Sequence, residues 1–406
     1  MLYEIANGHQ KGRTVGYSNG SFSNGVSNGT TTSNGYSNGH EEHPVVDLRS
    51  DTISKPTQAM RDAMYLAPVG DDVYGEDPTV NLLIQKACEL LGKEDGILVP
   101  SGTMANLIAI MVHCRERGSE LICGDNSHTF KFEQGGPAQI AGVQQALVKN
   151  LDDGTFCLEE MKSKIRVDPD CHEPTTSLII VENTHNICGG KVLPLSWLDE
   201  LTSISKSYKI PVHMDGARIM NAAVALNVPV NRIVKDIDTV CFCLSKGLGA
   251  PIGSLLLGST QFIQRATRVR KALGGGMRQS GIIAAAGLVA LDSMIGRLKI
   301  DHDRTLKIAR AISDFQSDLF KVDLKSVQTN ILMVCLDAKR VTVSEFLKRL
   351  YEVKDADEVK VHLRATTLNS NSARFVLYWE ITEKDVDLAI GKLKLVVKEF
   401  EDKLKM

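Results

Sequence analysis

The chain of 406 residues is 43% hydrophobic and 24% charged, the composition of a folded globular protein rather than of a fibre or a wholly disordered polypeptide. Lysine and arginine (47) nearly balance aspartate and glutamate (49), so no net field exists to hold a nucleic acid or an acidic membrane as main partner. Nine cysteines without a C-x-x-C pair give neither a disulfide framework nor a zinc knuckle, and the absence of a secretory signal or an uncharged apolar run of about 18 residues sets the cytoplasm as the expected location.

Residues 1–43 carry Ser-Asn-Gly at 18–20, 23–25, 27–29, 33–35 and 37–39. With few branched apolar side chains they cannot offset roughly 1 to 2 kcal/mol of backbone entropy per ordered residue, so a disordered extension is expected. From Pro44 short apolar runs alternate with amphipathic stretches. Strands are expected at 96–100, 121–123, 177–182, 211–215, 239–244 and 254–257, with helices at 103–117 and 194–208 between them. The strand runs are apolar throughout, the pattern of a mainly parallel sheet covered by helices on both faces. Long helices are expected at 281–300 and 304–320, then strands at 330–336 and 374–378 and helices at 343–351 and 383–405. The predicted division is a large α/β domain over 44–300, including the N-terminal segment, and a smaller α+β domain over 301–406.

The chemistry concentrates where strands end. The run from Asp238 to Leu244 leads into Ser245-Lys246-Gly247, which places a lysine at the edge of the core. An ordinary surface lysine is the plain alternative; a desolvated one forms a Schiff base with an aldehyde cofactor. Asp215 ends the strand before Gly216 and either caps the next helix or pairs with a pyridinium nitrogen. The Ser101-Gly102-Thr103 turn opens a helix whose free N–H groups suit a phosphate, although serine and threonine begin many helices. Lys271, Gly274 to Gly276 and Arg278 form a second glycine-rich, basic stretch, either an anion grip or a loop. His128 follows a short strand, where its ring either covers a planar cofactor or is simply half-buried. Together, turn, ring, acid and lysine describe pyridoxal phosphate.

On these residues the sequence resembles the low-specificity L-threonine aldolases, pyridoxal-phosphate enzymes of the aspartate aminotransferase fold (fold type I). The motifs that carry the resemblance include Asp47-Leu-Arg-Ser-Asp-Thr52, Pro68-Val-Gly-Asp-Asp-Val-Tyr-Gly75, Ser101-Gly-Thr-Met-Ala-Asn106, Glu182-Asn-Thr-His-Asn186, His213-Met-Asp-Gly-Ala-Arg218, Leu244-Ser-Lys-Gly-Leu-Gly249 and Gly274-Gly-Gly-Met-Arg-Gln-Ser-Gly281. The resemblance implies that Lys246 carries the cofactor, Asp215 pairs with its ring nitrogen and Arg218 contacts its phenolic oxygen. It further implies that Gly102 and Thr103 bind the phosphate with support from Lys271 and Arg278, and that His128 stacks on the ring. Ser50 and Arg374 would hold the substrate carboxylate, and Tyr74 would reach the site of a neighbouring subunit in a homotetramer. His128 is the first candidate for the base that takes the β-hydroxyl proton and His172 the second. The implied reaction cleaves L-threonine and L-allo-threonine to glycine and acetaldehyde. A pyridoxal enzyme for another β-hydroxy amino acid and a silent cofactor-binding relative are the competing readings. The chain departs from the family pattern at Leu377-Tyr378-Trp379, where bulk is expected to alter packing near the carboxylate, and in the lengthened 186–191 turn.

Overall fold

The computed structural model of the chain describes residues 43–405. All but the last residue of the extension expected over 1–43 lie outside the described residues. The chain enters through β1 (Val45–Asp47) and then builds a central sheet from β2 (Asp95–Val99), β3 (Ser119–Gly124), β4 (Gln144–Val148), β5 (Thr175–Glu182), β6 (Val212–Asp215), β7 (Thr239–Cys243) and β8 (Ser254–Gly258). Its order is β2-β8-β7-β6-β5-β3-β4. From β7 to β4 every pairing is parallel, and β8 alone runs against both its neighbours. The mainly parallel α/β sheet expected from the unbroken apolar runs is therefore present. Of its strands only β4 escaped sequence reading: it is an edge strand, and its Gln144-Gln145 start breaks the apolar pattern.

Helices cover both faces. The Gly102–His113 and Thr260–Ala272 helices pack Ala105, Ile108, Phe262 and Ile263 against Ile97 and Val99 on one side. On the other, Leu83, Leu198, Leu201 and Ala284 close over Leu98, Val181, Phe242 and Leu255. All five residues of β7 are buried, each large apolar side chain stabilising the sheet by about 1.5 to 3 kcal/mol. The helix expected over 281–300 is broken instead. Gly281–Val289 runs into a π turn at Ala290–Met294, and a new helix, Leu298–Asp314, leaves at 66° after Gly296. Among the described residues no single helix is long and apolar enough to cross a membrane.

The C-terminal layer holds β9 (Phe320–Lys321), β10 (Ile331–Leu336), β11 (His362–Arg364), β12 (Thr366–Asn369) and β13 (Ser372–Val376), with the antiparallel order β12-β13-β10-β9 and a separate parallel pair of β1 with β11. The Val343–Tyr351 and Glu383–Lys405 helices fall at their expected bounds, the former closed by a capping box of Thr342 and Glu345. The N-terminal segment does not join the large layer as the 44–300 division expected. Val46 and Leu48 lie in the core formed by Leu332, Phe346, Phe375 and Leu393, because β1 finds its only strand partner among the described residues in β11. This crossing matters for function: it carries Ser50 and Asp51 from the small layer to the rim of the large sheet, where β5 and β6 end in register at Glu182 and Asp215, beside Cys241 of β7.

Candidate active site

Ligands in open parallel sheets sit beyond the carboxyl ends of the strands, and there the chain forms a cavity of about 180 Å³. Its walls include Gly102, Thr103, Asn106, His128, Asp215 and Lys246. The Gly102–His113 helix starts at the cavity with Ser101 as its cap, the hydroxyl accepting from Met104 N at 3.2 Å. As first residues of the helix, Gly102 and Thr103 have no intrahelical acceptor for their N–H groups. Gly102 is required by close approach, since a Cβ there would stand 2.9 Å from Cys243 Sγ.

Asp215 lies fully buried at the end of β6 and accepts from Asn106 Nδ2 at 2.9 Å and from Ala217 N at 3.1 Å. Burial alone would push its carboxyl up, but the nearby His128 and Lys246 charges and the Asn106 amide win and hold it below the usual carboxylate range. His128 is aimed by two carboxylates: its backbone N–H donates to Glu182 Oε2 at 2.7 Å and its Nδ1 meets Glu133 Oε1 at 3.0 Å. Burial works against its imidazolium, yet the Glu133 hydrogen bond and the Asp215, Glu133 and Glu182 charges raise its basicity. Its Nε2 makes no hydrogen bond among the described residues and is the nitrogen left for a ligand. Lys246 projects from the turn after β7, and its ammonium has neither hydrogen bond nor ion pair among the described residues. A lysine in that position, facing an ionised aspartate and a helix N-terminus across a cavity, is available for covalent chemistry.

Beside this cavity Arg218 and Asp51 form a two-pronged buried pair, Nε to Oδ2 and Nη2 to Oδ1, both 2.7 Å. Arg218 thus stands behind Ala217 and Cys243, with only its Nη1 free of hydrogen bonds among the described residues, and Asp51 also accepts from Asn330 at 3.2 Å. Arg374 presents the opposite case. Its Nη1 donates to Asn186 Oδ1 at 2.6 Å and its Nη2 to Arg49 O at 3.0 Å, while its Nε is buried with no acceptor among the described residues. Burial and the Arg218 charge bring its guanidinium down to about 10. Ser50 follows Arg49 and so adjoins Arg374, its hydroxyl accepting from Thr52 N and Thr52 Oγ1.

Three expected residues stand apart from the cavity in this chain. Tyr74 is 75% exposed, Arg278 pairs with Asp71 at 2.9 Å on the surface, and Lys271 is exposed with no ion pair among the described residues. His172 likewise stands apart from the cavity of its own chain. It sits in the loop before β5, 81% exposed beside Asp170, whereas the cavity lies at the far end of that eight-residue strand, roughly 23 Å away at about 3.3 Å per residue. Leu377 and Tyr378 also turn away from the carboxylate end: both are buried in the C-terminal core, and the Tyr378 hydroxyl donates to Asp47 O at 3.0 Å. Sequence reading gave no role to Asn106, Glu133, Glu182, Asp51 or Asn186. Asn106 carried a signal, as the polar member of the apolar run from Met104 to Val112.

A model of the beta-eliminating lyase family matches residues 47–339. The chain is 44% identical over 348 residues to a probable low-specificity L-threonine aldolase 2 of Arabidopsis thaliana, covering 85% of this chain and 95% of that one. It is 45% identical over 305 residues to a low specificity L-threonine aldolase of Escherichia coli K12, covering 75% and 89%. The chain belongs to the low-specificity L-threonine aldolase family. Solved structures agree on the fold of this aldolase-family chain: a Leishmania major threonine aldolase superposes with a TM-score of 0.72 at 17% identity, covering 87% of this chain and 100% of that one. A serine palmitoyltransferase of Sphingomonas wittichii superposes at 0.68 with 15% identity, covering 88% of each. The architecture is that of fold type I.

Proposed function

We propose that this chain is a pyridoxal-phosphate-dependent aldolase that cleaves L-threonine and L-allo-threonine to glycine and acetaldehyde. The observation that carries the reading is the Lys246 amine, without a partner among the described residues, set between an ionised Asp215 and the open N-terminus of the Gly102–His113 helix. The residues fit the cofactor: Lys246 would hold its aldehyde carbon, Asp215 its ring nitrogen, and the Gly102 and Thr103 N–H groups its phosphate. When bound it supplies an electron sink for the pair left on Cα as the Cα–Cβ bond breaks.

The chain's own groups do the rest. Arg374 and Ser50 take the substrate carboxylate, which meets the unmatched Nε and offsets a buried positive charge. His128 stacks on the ring and, with Nδ1 engaged by Glu133, offers Nε2 as the base for the β-hydroxyl proton. Asp51 locks Arg218 in place, and Arg218 would contact the phenolic oxygen of the ring. Tyr74, Lys271 and Arg278 complete the site of a neighbouring subunit in a homotetramer, a role supported by their exposure and by the lack, among the described residues, of a cation at the phosphate end of the same chain's cavity. Nine free thiols suit a reducing compartment, the cytoplasm.

Acetaldehyde release from L-threonine, L-allo-threonine and D-threonine by the cofactor-loaded protein tests the assignment. Release from both L isomers and not from the D isomer is expected. Silence with every isomer, while the cofactor remains attached to Lys246, overturns it.

A further inference from the structure

Behind Asp215 a line of buried polar groups runs inward from the cavity, and beyond Asn106 none of its members lines it. Asn106 is at its head. Its Nδ2 faces two carboxylate oxygens, Asp215 Oδ2 at 2.9 Å and Glu133 Oε1 at 2.8 Å, so that end of the amide donates. Its Oδ1 then accepts from His213 Nε2 at 3.0 Å and from the Cys241 thiol at 3.1 Å. That fixes the His213 tautomer. Nε2 carries the proton, and the bare Nδ1, 2.9 Å from Thr239 Oγ1, accepts the threonine's single hydroxyl proton. Thr239 in turn accepts from His113 Nε2 at 3.0 Å. Both rings are neutral, burial pushing His213 down to about 4 and His113 down to about 3. Every donor in the series therefore points toward Asp215.

We propose that His213, Thr239 and His113 are positioning residues that hold the Asn106 amide with its donor on Asp215, and so keep that carboxylate ionised and aligned for the ring nitrogen of the cofactor. The inference rests on the pyridoxal-phosphate reading of the cavity. Without the His213 Nε2–H, Asn106 Oδ1 keeps only a weak thiol donor, and the amide loses the anchor that holds its Nδ2 in line with Asp215. A series that merely satisfied buried groups would contribute to stability and leave the cofactor untouched.

The test is titration of pyridoxal phosphate into the ligand-free full-length protein and its His213→Leu, His213→Gln, Thr239→Val and Thr239→Ser variants, reading dissociation constant, absorption spectrum of the bound cofactor and thermal unfolding before loading. His213→Leu and Thr239→Val are expected to bind about tenfold more weakly, the loss of roughly one charged hydrogen bond, with a shifted absorption band. His213→Gln, whose Nε2 still donates, and Thr239→Ser are expected to restore both. Wild-type affinity and an unshifted band in the His213→Leu and Thr239→Val variants overturn the proposal. If His213→Leu does not fold, Thr239→Val, which exchanges a hydroxyl for a methyl group, decides alone. A wild-type chain that takes up no cofactor overturns the reading of the cavity itself, a distinct result.

Discussion

Arg374→Gln is expected to raise KM for L-threonine by about 10- to 100-fold while leaving the ligand-free fold nearly as stable as before. Two Arg374 nitrogens are held by neutral oxygens, one is unmatched, and no carboxylate among the described residues pairs with it. Burial brings its folded pKa down from the ordinary guanidinium range to about 10, so the charged form is disfavoured in the folded chain. At about 1.4 kcal/mol per unit, this costs roughly 3 kcal/mol at neutral pH, a penalty fully present below the folded value and relieved as pH rises through it. Glutamine removes the penalty and keeps one amide donor for Asn186 Oδ1 or Arg49 O, losing a neutral hydrogen bond of about 1 kcal/mol and some packing. Those changes offset one another to within a few kcal/mol. The substrate carboxylate has no such compensation, because each charged hydrogen bond is worth roughly 1.5 to 3 kcal/mol and 1.4 kcal/mol is tenfold. Steady-state acetaldehyde release gives KM, and urea unfolding of the ligand-free protein gives stability. A KM within about threefold of wild type, or a variant that unfolds outright, refutes the assignment of Arg374 as an anion site held ready.

Lys246→Ala is expected to abolish turnover with the fold intact, and borohydride treatment followed by mass spectrometry should find the cofactor fixed to wild type and absent from the variant. His128→Phe keeps a ring for stacking but no base, so kcat is expected to fall by about 10²- to 10⁴-fold with cofactor still bound; an unchanged kcat would reduce His128 to a stacking residue. Asp51→Asn leaves Arg218 buried without its anion, and urea unfolding at neutral pH should show a loss of about 3 to 5 kcal/mol. Burial pushes the Asp51 carboxyl up, but Arg218 outweighs it and holds the group below its ordinary 3.8. That stability is therefore present above about pH 4 and is lost as pH falls toward the folded value, so unfolding curves below pH 4 should converge for variant and wild type. Mixed subunits of Lys246→Ala and Arg278→Ala protein should recover activity that neither has alone, and no recovery would confine each site to one chain.

The sheet was legible because its strands are buried on both faces: Leu178 to Val181 and Val240 to Leu244 read as unbroken apolar runs, the first ending at Glu182 and the second leading into Ser245-Lys246. What stayed hidden were pairings across long sequence separations. Asp51 and Arg218 are 167 positions apart, and Asn186 and Arg374 188 apart. No local periodicity records either contact. The β1 and β11 pair is hidden for the same reason, each being only three residues long. His128 follows β3 whereas His172 precedes β5, and a parallel sheet presents only the carboxyl ends of its strands to the site.

The distribution of charge explains why the buried ion pair and the unmatched guanidinium coexist within one site. Both Asp51 oxygens are hydrogen-bonded by Arg218, so Asp51 reaches Arg374 and Lys246 only through space and pairs directly with neither. Were Asp51 placed instead against Arg374, the apo site would be more stable and the substrate carboxylate would have to displace an anion already there. At the ring end the order is reversed: Asp215, Glu133 and Glu182 surround His128 and sustain its basicity, and Asn106 divides its two donors between Asp215 and Glu133. The phosphate end has the helix N-terminus, equivalent to roughly half a positive charge, and the hydroxyls of Ser101, Thr103 and Ser245, with no cation among the described residues on the cavity wall other than Lys246 and His128. A phosphate dianion there leaves more than one unit of negative charge unmatched. Lys271, exposed and without an ion pair among the described residues, and Arg278, weakly committed to Asp71 on the surface, are the cations that a second copy of this chain would bring to it.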